Sequence, residues 1–235
     1  MIDIHNHLLF GIDDGSKSLE ESIDVLRDLA SIGYTDIILT PHYISGSRYS
    51  NSASNNYKLM KELESSLKDN NIDIKLYLGN EIFIDDDIFE LLLSKEIYPL
   101  NGTKNLLIEL PMSGEYEGYL ELFSDLIDKG CNIILAHPER YLSFQNDYNK
   151  ISELASLGVF FQSNLGSLLG KYGSGAKKLI KKLLKDKKVT YLATDIHHKK
   201  HDLNDFNKAK KVALKYISEV EFNKLVKENP SLLLN

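Results

Sequence analysis

"IDIHNHLLFGIDDGSKSLEESIDVLRDLASIGYTDIILTP", residues 2–41, contains one complete strand–helix–strand unit. Its two ends, "IDIHNH" (2–7) and "DIILTP" (36–41), are short β-branched runs and read as strands. Between them, Ser18 with Glu21 predicts a capping box, Leu19, Ile23, Leu26 and Ala30 line one helical face, and Gly33 ends the helix. The spacing between the runs is too long for a hairpin, so the unit is βα followed by the next β.

The same pattern continues along the chain. Further strands are expected at 74–81, 105–111, 132–138, 159–164 and 189–197, which makes seven. Helices are expected near 54–69, 86–95, 117–129, 148–157, 175–187 and 203–217. A last short helix, capped by Ser218 with Glu221, is expected to stop before Pro230. Uninterrupted alternation implies a parallel sheet, and seven units suggest a closed α/β barrel, with an open doubly wound sheet as the alternative. Residues 1–235 are expected to form a single domain, since 43% hydrophobic residues over this length can build a sizeable core. The polar segment "SGSRYSNSASNN" (45–56) reads as a mobile loop.

Composition narrows the function classes. No apolar run approaches the roughly 20 residues of a membrane span, and no leader pattern opens the chain, so no stable membrane insertion and a cytoplasmic location are expected. A net charge of -6 argues against general nucleic-acid binding. The single cysteine, Cys131, excludes an intramolecular disulfide framework and a thiolate metal cage. It reads as a small buried hydrophobe rather than a phosphatase nucleophile, because no arginine follows six residues later.

Although each strand is defined by apolar content, six of the seven end in or beside a metal-binding residue: His7, His42, Glu81, Glu109, His137 and Asp195. In a parallel barrel all strand C-termini lie at one face, so these dispersed residues converge. Side chains two apart on a strand share a face, which makes His5 with His7, and Asp195 with His197, chelating pairs. Either pair alone is better read as satisfied structural residues. Together, uncompensated acids and imidazoles would be costly to gather unless multivalent cations offset the charge. Nitrogen and oxygen donors without thiolate suit manganese, iron or zinc. With Asp13 or Asp14 there are some nine candidate ligands, enough for two or three ions, at which a bridging hydroxide would be available near neutral pH. Arg140, one of three arginines, follows His137 in "AHPERY" and is placed to grip a phosphoryl oxygen; pairing with Glu139 or another carboxylate is the competing reading. Arg48 is a weaker candidate, better read as solvated.

The set "DIHNH", "GIDDGS", "TPH", "GNEI", "IELP", "AHPERY", "GSLLGKYG" and "TDIHH" strongly resembles the polymerase-and-histidinol-phosphatase (PHP) superfamily. Within it, the chain is similar to the bacterial manganese-dependent protein-tyrosine phosphatases encoded with capsule and exopolysaccharide genes. The resemblance runs from residue 2 to the final "NPSLLLN". It implies a distorted seven-stranded (β/α)7, TIM-like barrel holding three divalent ions, manganese first, with iron or zinc as alternatives. Carried onto this chain, His5, His7, Glu81 and Asp195 hold the first ion, and Glu81 bridges to a second held by Glu109 and His137. His42, His197 and an adjacent aspartate, Asp14 in preference to Asp13, hold the third. Arg140 is the implied phosphate-binding residue, and "LGSLLGKYG" the implied glycine-rich loop near the site, where Leu165 stands in place of the small residue common in related chains. Hydroxide held by the metals would attack the phosphorus of a phosphotyrosine on a cognate bacterial tyrosine kinase, regulating capsule or exopolysaccharide synthesis. The tyrosinate leaving group needs little proton donation, and His197, His198 or a metal-bound water could supply it. A small-molecule phosphatase of the same fold, acting on histidinol phosphate or a sugar phosphate, is the alternative. A nuclease or a non-catalytic scaffold is third.

The lysine-rich stretch "KKLIKKLLKDKK" (177–188) reads as the solvated face of an outer helix, with a basic docking patch as the minority reading. His198 and His201 are expected in an exposed turn. Association between subunits is not decided by the sequence.

Overall fold

A computed structural model of the chain describes residues 1–114, 116–198 and 204–235. Among the described residues there are nine short strands: β1 (Ile2–Asp3), β2 (Asp36–Leu39), β3 (His42–Tyr43), β4 (Lys75–Leu78), β5 (Glu81–Phe83), β6 (Asn105–Glu109), β7 (Asn132–Ala136), β8 (Phe160–Asn164) and β9 (Tyr191–Ala193). They form two parallel sheets, ordered β1-β2-β4 and β3-β5-β6-β7-β8-β9.

The nine segments follow the seven expected runs, with the runs 36–41 and 74–81 each resuming, as β3 and β5, after a break that has a local cause. The run 36–41 breaks before Pro41, which has no N–H for the ladder. The run 74–81 breaks at Gly79 and Asn80, where a side chain on Gly79 would come within 2.7 Å of Leu100 Cδ2. Hydrogen bonds carry the chain across both breaks: Gly79 N–H donates to Leu39 O (2.8 Å), Glu81 N–H to Pro41 O (3.1 Å), and Asn80 Nδ2 to Pro41 O (3.1 Å). Past the ends of β1 and β9, a parallel bridge between Asn6 and Ile196 joins the two sheets, through Asp195 N–H to His5 O and His7 N–H to Ile196 O, each 2.9 Å. The ring therefore closes with few ladder bonds at that seam.

The helices are α1 (Leu19–Ser31), α2 (Ala53–Asp69), α3 (Ile88–Ser94), α4 (Leu120–Asp128), α5 (Leu142–Asn146), α6 (Asn149–Ser156), α7 (Leu165–Leu169), α8 (Gly173–Lys185), α9 (Asn204–Ala213) and α10 (Glu219–Asn223). Ser18 caps α1 by accepting from Glu21 N–H, but the Glu21 carboxylate accepts from Lys17 N–H rather than Ser18, one residue ahead of the expected box. Ile23, Val25, Leu26 and Leu29 are buried on α1, and the expected Leu19 and Ala30 pack against the same cluster as its partly buried edges. Ser218 and Glu221 make the reciprocal box as expected. The helical path then runs on through a π turn (Lys224–Glu228) and past Pro230, contrary to expectation. Pro230 begins a new turn (Asn229–Ser231), where its missing N–H removes no bond. Two short helices were not expected: α5, and α7 in the glycine-rich stretch, which ends on Gly170 in the left-handed conformation. The polar loop after β3 is likewise shorter than expected, because α2 begins at Ala53 with Ser52 as its cap.

One apolar cluster is enclosed by the ring and includes Ile4, Ile38, Leu107, Ile134, Ala136, Tyr191 and Ala193. A larger one lies between β5–β9 and the helices outside them, and another under α1 and α2. On α8, Leu179, Ile180, Leu183 and Leu184 are buried while Lys181 and Lys182 lie over the Tyr216 and Tyr148 rings, the arrangement of an outer helix. His201 lies outside the described residues.

Candidate metal centre

Strand alternation delivers part of the site directly. Glu109 is two residues after Leu107, so it leaves β6 on the enclosed side. His137 cannot do so by alternation, since Ala136 already occupies that side of β7; its backbone turns left-handed (φ 33°, ψ 56°) and swings the imidazole inward. Asp195 is left-handed as well (φ 51°), which ends β9 after three residues instead of carrying it to 197. Non-glycine residues in this region carry backbone strain and are enriched at functional positions.

Glu81 is the hub. Its Oε1 lies 2.9 Å from His137 Nε2 and 3.2 Å from His5 Nε2, and its Oε2 lies 3.0 Å from His42 Nδ1 and 3.2 Å from His7 Nε2. Asp195 Oδ1 stands 3.5 Å from both His5 Nε2 and His7 Nε2. Glu109 approaches His137 Nε2 (3.6 Å) and His42 Nδ1 (3.8 Å). Toward solvent, Asp14 Oδ1 faces His42 Nε2 at 3.5 Å and His197 Nε2 at 3.6 Å. All nine residues expected as ligands therefore meet in one cluster, in four overlapping groups: His7/Asp14/His42/His197, His5/His7/Glu81, His5/His137/Asp195 and His42/Glu81/Glu109. These proximity groups cut across the three sets implied by the resemblance, most visibly in pairing His137 with His5 and Asp195.

The donor chemistry fits divalent cations. His5 Nε2, His7 Nε2 and His42 Nδ1 are buried without a hydrogen-bond partner among the described residues, although each faces a carboxylate oxygen. Buried polar atoms are ordinarily satisfied, and coordinated ions would satisfy these three. The two aspartates divide by geometry. Asp13 is tied up, accepting from His7 Nδ1 (2.8 Å), His42 N–H (3.0 Å) and Gly15 N–H (2.9 Å), whereas Asp14 presents its carboxylate to two imidazoles.

Arg140 reaches the cluster rim, donating from Nη1 to Asp195 Oδ2 (3.1 Å) with its guanidinium 4.5 Å from the centre of the Tyr172 ring. It does not pair with Glu139, which is fully buried and accepts from Asn164 N–H and Ser167 Oγ. Arg48 is exposed, stacked on Tyr49, and lines an open cleft of about 520 Å³ with Asp14, Lys17 and His198. Cys131 is half-buried at the start of β7 and packs against the larger core.

The family model described as "Capsular polysaccharide synthesis, CpsB/CapC" matches residues 1–235. The chain belongs to the CpsB/CapC family. CapC of Staphylococcus aureus is 37% identical over 84% of this chain and 77% of its own length. The tyrosine-protein phosphatase YwqE of Bacillus subtilis (strain 168) is 31% identical over 100% of this chain and 91% of YwqE. Among solved structures, one reported for YwqE and for CpsB from Streptococcus pneumoniae, described as metal-dependent tyrosine phosphatases, superposes with a TM-score of 0.91 at 31% identity, covering 100% of this chain and 94% of that one. Histidinol phosphate phosphatase of Lactococcus lactis shares the fold at a TM-score of 0.60 and 17% identity, covering 92% of this chain and 93% of that one.

In this CpsB/CapC chain the charges of the centre compensate one another when no cation is bound. Burial opposes charge on His5, but the Glu81 and Asp195 carboxylates outweigh it and lift the imidazole to about 9. His7 is lifted in the same way against burial, chiefly by Asp13. Burial, reinforced by Glu81, pushes Glu109 up to about 8. Burial also holds His42 and His137 below the usual imidazole range, and His197, further opposed by His7, falls to about 4. Sequence reasoning missed the supporting polar residues Gln162, Asn164 and Tyr172. Two amides at positions 162 and 164, two apart at the end of a run opened by Val159, Phe160 and Phe161, were the available signal.

Proposed function

We propose that this CpsB/CapC chain works as one catalytic domain, a metal-dependent protein-tyrosine phosphatase acting in the cytoplasm on a tyrosine kinase of capsule or exopolysaccharide assembly. The observation that carries the reading is the cluster of nine residues with nitrogen and oxygen donors, Glu81 among them, in which the buried His5 Nε2, His7 Nε2 and His42 Nδ1 have no hydrogen-bond partner among the described residues. The name and description of YwqE supply the substrate class.

In this reading His5, His7, Asp14, His42, Glu81, Glu109, His137, Asp195 and His197 hold three divalent ions, manganese in preference to iron or zinc. When bound, such ions supply Lewis acidity at the phosphoryl group and make water available as a nucleophile at neutral pH. Arg140, a quarter exposed beside the cluster, binds phosphoryl oxygens and neutralises charge that builds on them as the ester bond breaks. The tyrosinate leaves with a conjugate-acid pKa of about 10, so a strong proton donor is not demanded of the chain. Asp13 holds His7 by Nδ1 and keeps the other ring nitrogen toward Glu81.

Turnover of a phosphotyrosine peptide, histidinol phosphate and a single-stranded oligonucleotide, side by side with added manganese, tests the reading. Peptide turnover that disappears with chelator is expected. Negligible peptide turnover beside rapid histidinol phosphate turnover would overturn it.

A further inference from the structure

Among the described five-residue strands, β8 alone brings neither acid nor imidazole to the cluster, yet Gln162 and Asn164 on it are completely buried. Two residues apart on one strand, they share a face. Gln162 Oε1 lies 2.7 Å from His5 Nδ1 and 3.3 Å from His137 N. A backbone N–H can only donate, so the Gln162 atom facing it is the carbonyl oxygen, and His5 Nδ1 is the donor in the other bond. The Gln162 nitrogen then donates to Asn164 Oδ1 (2.9 Å), and Asn164 Nδ2 donates to Asp195 Oδ2 (2.5 Å). The far end fixes the direction independently. Asp195 also accepts from the Arg140 guanidinium, so it is an ionised acceptor and Asn164 must present its nitrogen. Both ends thus require the same orientation of the two amides.

We propose that Gln162 and Asn164 are positioning residues of the metal centre: their hydrogen-bond chain fixes His5 with Nε2 free and holds Asp195 by Oδ2, so that Nε2 and Oδ1 face the ions. The inference rests on the metal-centre reading above. One strand that supplies no ligand thereby orients two ligands from strands at opposite ends of the sequence.

Manganese binding to the metal-free protein, followed through the electron paramagnetic resonance signal of free Mn2+, tests this without reference to turnover. Gln162→Met removes the acceptor at similar volume and is expected to weaken one class of manganese site about 10- to 100-fold while leaving the total number of sites unchanged. Gln162→Glu restores an acceptor for His5 and is expected to recover most of that loss, although a buried carboxylate is the worse substitution for the fold. Asn164→Leu is expected to weaken the same class, and carries the test if Gln162→Met does not fold. Phe161→Leu, on the opposite face of β8, is expected to lower metal-free stability without changing manganese affinity. Wild-type affinity in Gln162→Met or Asn164→Leu overturns the inference, as does an equal loss in Phe161→Leu. A wild-type protein that binds no manganese overturns the metal-centre reading itself and this inference with it.

Discussion

Glu81 meets four imidazoles within 3.2 Å, and that density of acids and bases has a consequence for proton traffic. In the metal-free protein His5 titrates at about 9 and Glu109 at about 8, both above their ordinary values, so at pH 7 each holds a proton that a cation must displace. Manganese binding at pH 7 is therefore expected to release protons, and affinity to rise with pH between 6 and 9. Calorimetry in buffers of different ionisation enthalpy checks both points, and affinity independent of pH between 6 and 9 would contradict them. Arg140 gives a second prediction at this scale. Arg140→Ala should fold with its manganese retained, because Asp195 keeps Asn164 and Tyr172 as hydrogen-bond partners, but kcat on a phosphotyrosine peptide should drop about 100- to 1,000-fold. Wild-type turnover at saturating manganese would remove Arg140 from the site. The acids and imidazoles were legible in the sequence because they interrupt apolar runs at strand ends. Their hydrogen-bond partners were not, since an amide such as Gln162 looks the same whether it meets His5 or water until the strands are packed.

At the scale of elements, the seven apolar runs were legible from β-branched content, but the two interior breaks were not. The break at Gly79 depends on Leu100, which lies in a different unit and packs against a backbone that has no room for a side chain. Gly79→Ala is accordingly expected to destabilise the protein by about 1 to 3 kcal/mol, with Leu100 forced from its place. Urea denaturation checks this, and an unchanged midpoint would show that Leu100 yields freely. Pro230 is the converse case. A proline normally stops a helix, yet the preceding π turn leaves it at the start of a new turn, an outcome set by how the last helical segment packs on β9 and β1. The lysine-rich α8 was legible as an outer helix because its leucines recur at helical spacing.

For the molecule as a whole, the centre joins strands that the two sheets alone join poorly. β1 and β9 meet through a single bridge, and His5, His7 and Asp195 sit beside that seam. Bound cations should therefore stabilise the whole ring. An ion present at 100 times its dissociation constant contributes about 2.7 kcal/mol, or roughly 5 to 10 °C for a chain of this length. Thermal melting before and after chelation, with recovery on adding manganese, checks this; a melting temperature indifferent to chelator would sever the link between metal and fold. The same seam also sets an order in time. Asp195 leaves the ribosome about 190 residues after His5, some 10 to 40 seconds later at about 5 to 20 residues per second. Until then the His5–His7 pair can meet Glu81 but not Asp195, so the centre is completed only when β9 and the residues just after it have been made and close the ring.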